Sequence, residues 1–124
     1  MKTNRPIYIS LTKFSWPITA ISSIAARITG VILVLSLGPF GWLLDLALGS
    51  EAGFLEAKGV LQLPLPKLFL ILCLGALFYH FFSGIKHILM DFGYGEELVT
   101  AKKVSVSIWI LSVCATSWFG IWLW

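Results

Sequence analysis

Charge is missing from the chain over three long stretches, Ile28 to Leu44, Leu68 to Ile85 and Val104 to Trp124, and apolar side chains dominate each of them. A helix rises about 1.5 Å per residue, so roughly twenty such residues cross the ~30 Å hydrocarbon core of a bilayer. The polar connections between the stretches are short and leave no room for a soluble domain. The pattern predicts an all-α membrane protein whose three transmembrane helices cover about 22–48, 65–91 and 103–124, in one membrane-anchor domain over 1–124. Pro6 and Pro17 punctuate an amino-terminal stretch that does not span. Pro17 suits the first turn of a helix beginning after Ser15. Such a helix, continued to Leu44, is roughly 40 Å long, so its first turns tilt or sit among headgroups.

Composition agrees: 58% of the 124 residues are hydrophobic and only 12% are charged, which excludes an ordinary soluble domain. Three helices bury little against one another, and lipid supplies no hydrophobic drive to associate. The chain therefore reads as a subunit of a larger helical bundle. Cys73 and Cys114 fall inside predicted spans, where a free thiol behaves as a small apolar side chain. The run Val31 to Leu44 followed by Ala47-Leu48-Gly49 imitates a signal peptide, but its lead-in, which includes Arg27, is too long for an ordinary n-region, so the segment is kept as a helix.

The nine basic residues divide unevenly. Lys2, Arg5, Lys13, Arg27, Lys86, Lys102 and Lys103 lie toward one side of the membrane, and Lys58 and Lys67 toward the other. The positive-inside rule then puts the amino terminus in the cytoplasm and the carboxyl terminus across the membrane. Scattered at helix ends, these charges carry topology and form no nucleic-acid groove. Trp42, Trp118, Trp122 and Trp124 fall at far-side ends, and Trp16 and Trp109 near cytoplasmic ends, where aromatic belts anchor to the interface.

His80 stands alone inside the second uncharged stretch. An ionisable ring at that depth is disfavoured unless it meets a partner, a cavity or a bound group, and iron porphyrin suits an imidazole best. Ala76, His80, Gly84 and His87 form one helical stripe. Its small residues leave a groove for a porphyrin edge, or else a surface for close helix packing. His80 and His87 are roughly 10.5 Å apart along the axis, whereas two axial ligands of one iron stand about 4 Å apart. A six-coordinate haem therefore needs a second ligand from another chain. His87 and Lys86, near the cytoplasmic end, suggest a positive rim suited to propionates; an interfacial role for His87 at the helix C-terminus is equally open.

Ser23 and Arg27 are four apart and share a helix face. A hydroxyl and a guanidinium at the lipid boundary can bind the carbonyl oxygen of a membrane quinone whose tail stays in lipid. The alternative is that Arg27 snorkels to headgroups or pairs with Asp91 or a partner chain, with Ser23 a packing residue. Ser22, Thr19 and Thr29 repeat the hydroxyl signal more weakly. Asp91, Glu96 and Glu97 surround Phe92-Gly93-Tyr94-Gly95 as an acidic loop, with Gly93 or Gly95 ending the helix.

The chain resembles the cytochrome b large anchor subunit of succinate dehydrogenase, the succinate:quinone oxidoreductase of complex II. The matching pieces are Arg5-Pro6, Pro17-Ile18-Thr19-Ala20-Ile21-Ser22-Ser23-Ile24, Arg27-Ile28-Thr29-Gly30, Tyr79-His80, Gly84-Ile85-Lys86-His87 and Met90-Asp91-Phe92-Gly93-Tyr94. The resemblance implies that His80 is an axial ligand of haem b, that Ser23 and Arg27 belong to a site for ubiquinone or menaquinone, and that Arg27 and His87 lie near the haem propionates. It also implies a flavoprotein subunit, an iron–sulfur subunit and a second small membrane anchor that shares the haem, with no catalytic residue in this chain. The family often has His where this chain has Ala26, so one polar contact is missing.

Two other readings stand beside this one. One is an ion- or proton-translocating subunit with Arg27, His80, His87 and Asp91 as relay groups; the other is a haemless anchor of a fumarate reductase. With the Arg5-Pro6 match so early and no Arg-rich presequence before it, the expected location is a bacterial inner membrane.

Overall fold

The computed structural model describes residues 15–124. The Arg5-Pro6 match and the charges of Lys2, Arg5 and Lys13 lie outside them. Four helices follow one another: α1 (Ile18–Gly49), α2 (Glu51–Gln62), α3 (Pro64–Asp91) and α4 (Leu98–Leu123). Three of them, α1, α3 and α4, are long and apolar enough to cross a membrane. The start of α1, the end of α3 and the start of α4 share one end of the molecule, and α2 caps the other.

Local chemistry explains the boundaries. Pro17 adopts an extended conformation as the residue before α1, and its carbonyl accepts from the amides of Ala20 and Ile21. Its ring thus stands just outside the helix, one position earlier than a first-turn proline. At the other end of α3, Gly93 takes φ +83°. Its N–H donates to the Met90 carbonyl and that of Tyr94 to the Leu89 carbonyl, at 2.8 and 3.0 Å. This paired closure of orphan carbonyls is a Schellman ending, and it favours a residue without Cβ at the left-handed position. Helix α4 begins before Lys102 and Lys103, earlier than the uncharged stretch, because a lysine marks the edge of the hydrocarbon and not the end of the helix.

Helix α2 falls where the sequence pattern offered only a polar connection. Ser50 is extended, and its Oγ accepts from the Gly53 amide at 3.0 Å, while Glu51 occupies the first turn. Both features favour a helix N-terminus. Gly53 and Ala57 are buried, and a Cβ at Gly53 would strike the Leu46 carbonyl oxygen. The mixed charge of Glu51, Glu56 and Lys58 hid this helix, because it interrupts the apolar pattern that marks a spanning segment.

Helix α3 packs against both α1 and α4, which meet each other less extensively. The contact surfaces are built from small or polar side chains: Ser22, Ala26 and Ser36 on α1, Ala76 and Ser83 on α3, Ala101, Ser105 and Ser112 on α4. Such residues let membrane helices approach closely. Large apolar residues such as Val34, Leu72 and Ile110 face outward, toward lipid or other chains. One knot ties all three helices. The Tyr79 hydroxyl donates to the Ser22 carbonyl at 3.1 Å, and the Trp109 indole N–H donates to the Ser22 hydroxyl at 3.2 Å. The rings of Tyr79 and Trp109 meet at 4.6 Å between centroids. Trp109 is thus a packing residue, not a member of an interfacial belt.

Removing one hydrogen bond of the knot should be mild and removing the ring severe. Tyr79→Phe is expected to cost about 0.6 kcal/mol, and Tyr79→Ala about 3 kcal/mol through the cavity it leaves. Unfolding by detergent titration measures both, and equal losses would contradict the ring as the dominant contribution.

Candidate functional site

Helix α1 presents Ser23, Arg27 and Gly30 at spacings of four and three, and α3 presents His80 and His87 seven apart. These faces oppose one another. Together with Ala26 they line an open cleft of about 330 Å³. Ser23 is half-buried, while Arg27, His80 and His87 are exposed. The cleft therefore opens away from α4, on the outer side of the three-helix unit. All four residues singled out in the sequence meet there, although fifty or more positions separate the two groups along the chain.

His80 is held more closely than its exposure suggests. Its Nδ1 lies 3.0 Å from the Ala26 carbonyl oxygen. A carbonyl only accepts, so Nδ1 carries the proton and donates it. In the neutral form of the ring that bond puts the lone pair on Nε2, which has no hydrogen-bond partner among the described residues. Fixing one ring nitrogen by a backbone carbonyl is how proteins prepare the other to bind a metal. Thr29 supports the same arrangement: its hydroxyl donates to the carbonyls of Ala25 and Ala26, both at 2.9 Å, and stands 3.4 Å from His80 Nδ1.

Gly30 provides the floor beneath the ring. A Cβ there would come within 3.0 Å of His80 Cε1 and 3.4 Å of Nδ1. The imidazole thus lies against bare backbone, and any side chain at position 30 makes it yield. On α3, a Cβ at Gly84 would meet nothing within 4 Å, so the surface one turn from His80 is open. Sequence reasoning passed over Gly30 as a residue with a part in the site. Its spacing of three from Arg27 and seven from Ser23 was the available signal. The Ala26 side chain gives no polar contact, but its carbonyl gives the one that orients His80.

Two residues are not where the sequence suggested. Lys86 turns away from the cleft and is buried between α3 and α4. Its Nζ donates to Ser105 Oγ at 2.9 Å, which in turn donates to the Ala101 carbonyl at 2.8 Å. One residue of helix rotation, about 100°, separates its direction from that of His87, so the rim of the cleft consists of Arg27 and His87 without Lys86. Asp91, at the end of α3, does not line the cleft either, and pairing with it does not account for Arg27.

No cluster of three or more His, Cys, Asp or Glu residues able to hold a metal occurs among the described residues. The chain's own donor set is a single imidazole. A haem fits it: one prepared nitrogen, an open wall of small residues beside it, and the guanidinium of Arg27 and the imidazole of His87 as donors toward one end of the helices.

The fold and cleft together define a multi-pass helical membrane subunit with one ligand-ready imidazole facing outward. A family model described as succinate dehydrogenase/fumarate reductase transmembrane subunit matches residues 1–119, and the chain belongs to that family. It is 33% identical to the succinate dehydrogenase cytochrome b556 subunit of Coxiella burnetii over the full length of both. With the subunit of the same name from Paracoccus denitrificans it shares 36% identity over 85% of this chain and 81% of that one. The human mitochondrial cytochrome b560 subunit is 28% identical over 92% of this chain and 69% of its own length. These relatives agree with the family named from the motifs.

The hydrogen bond to Ala26 has a direct signature. Nitrogen-15 NMR of the histidine-labelled chain without ligand should find His80 protonated at Nδ1 and bare at Nε2, and Gly30→Leu should abolish that pattern by lifting the ring from α1. A proton on Nε2 in the unsubstituted chain would contradict the tautomer.

Proposed function

We propose that this chain is the haem b-binding membrane anchor of a succinate:quinone oxidoreductase. It fastens the flavoprotein and iron–sulfur subunits to the bacterial inner membrane, with its amino terminus cytoplasmic and its carboxyl terminus periplasmic. The observation that carries this reading is the bond from His80 Nδ1 to the Ala26 carbonyl, which leaves Nε2 free on an outward-facing, small-residue surface. Membership of the family supports it, as do the printed names of the cytochrome b556 and b560 relatives.

His80 would hold the haem iron from this chain, and a second small membrane anchor would supply the other ligand. His87 is too far along α3 to serve. Arg27 and His87 hold the propionates through charge-assisted hydrogen bonds. The bound haem supplies a one-electron redox centre whose potential depends on ligand identity, nearby charge and burial.

Ser23 and Arg27 bind a carbonyl oxygen of ubiquinone or menaquinone. The hydroxyl donates a hydrogen bond, and the guanidinium stabilises the negative charge that develops on that oxygen as electrons arrive from the iron–sulfur subunit. The competing proton-relay reading lacks support: Asp91 stands outside the cleft and the Nδ1–H of His80 donates a hydrogen bond to a backbone carbonyl, so the four groups form no continuous chain.

Arg27→Leu is expected to lower succinate:quinone activity by about 10²-fold or more, as loss of one preorganised donor does, while succinate oxidation with a soluble acceptor stays near its original rate. Equal loss of both activities would reduce Arg27 to a role in assembly. In parallel, His80→Ala should remove the bis-histidine b-type spectrum of the purified complex; its full retention would take the ligand role from His80. Succinate–quinone and fumarate–quinol rates on one preparation establish the working direction.

A further inference from the structure

At the end of the molecule opposite His87, helices α1, α2 and α3 enclose an apolar cavity of about 460 Å³, within the range of ordinary lipophilic ligand sites. Its walls include Phe40 and Leu44 of α1, Leu61 of α2 and Leu70 of α3, and Lys58 of α2 and Lys67 of α3 also line it. The acidic side chains of this end, Asp45, Glu51 and Glu56, do not. Two lysines thus border one cavity whose lining contains no carboxylate. Lysine side chains at the rim of an apolar cavity favour an anion at its mouth.

Depth adds a second constraint. Lys67 Nζ lies 5.4 Å from the centroid of the Trp124 ring, and tryptophans near helix ends mark the headgroup level of a bilayer. Helix α2 has the mixed surface of an interfacial helix, with Phe54 and Leu55 exposed beside the charged Glu56 and Lys58. The cations therefore stand where phosphates stand, and the apolar walls lie where acyl chains begin. Only an amphipathic anion satisfies both.

We propose that this cavity binds an anionic glycerophospholipid of the far leaflet, its phosphate between Lys58 and Lys67 and an acyl chain along Phe40, Leu61 and Leu70. A zwitterionic lipid brings its own cation to the same place and is disfavoured. Taking the usual weight of a basic residue at an anionic surface, removing both lysines weakens binding about thirty-fold.

Native mass spectrometry tests this on the protein purified from its membrane in mild detergent with its bound partners, after exchange against equal phosphatidylglycerol and phosphatidylethanolamine. The expected result is one phosphatidylglycerol retained in preference, lost in Lys58→Gln/Lys67→Gln and kept in the control Lys102→Gln/Lys103→Gln at the other end. Leu61→Trp, which fills the cavity and leaves both charges, should lose the lipid as well and guards against misfolding of the double variant. Equal retention of the two lipids, retention by either cavity variant, or a partner chain cross-linking into the cavity in place of lipid would overturn the proposal.

Discussion

The hydrogen bond between His80 and the Ala26 carbonyl is the interaction on which the functional account rests. It crosses from α3 to α1, so it needs the two helices at close range, and they reach that range only because Gly30 has no side chain and Ala26 has a small one. The same bond fixes the tautomer. One contact thereby converts the packing of two helices into the chemistry of a nitrogen lone pair, and no titratable neighbour is needed to do it.

The rest of the fold serves that contact. Ser22 binds both Tyr79 and Trp109 one helical turn from Ala26, which holds α1 in register with α3 and leaves α4 on the far side of the pair. The cleft consequently faces outward, where a second chain or lipid must cover it. A bundle of three helices with large apolar residues outside and small ones inside offers a single prepared imidazole, and the proposed bis-histidine site needs a second from another chain. Incompleteness is what a subunit shows, and it explains why one imidazole, not two, is present in the cleft at the right depth.

Much of this was legible in the sequence because hydrocarbon imposes a simple rule: charge is absent over a spanning length, and an ionisable residue inside that length has a reason to be there. The three spans, His80, and the pairing of Ser23 with Arg27 follow from that rule and from helical spacing. Two features did not follow. Helix α2 has mixed polarity, so its pattern resembles a loop until the Ser50 cap and the buried Gly53 are seen. The direction of Lys86 depends on helix rotation against α4, and adjacent residues on a helix point about 100° apart, so its neighbour His87 gave no guide to it. Gly30 was equally silent, since a missing side chain matters only once the opposing ring is in place.

The central claim is that His80 Nε2 is a metal ligand on the outer face of this chain. An experimental density map of the purified complex at near-atomic resolution tests it most directly. The account predicts a porphyrin against Gly84 with its iron about 2 Å from His80 Nε2 and a second imidazole supplied by another polypeptide. A well-ordered His80 whose Nε2 faces only lipid or protein, with no iron beside it, would contradict it.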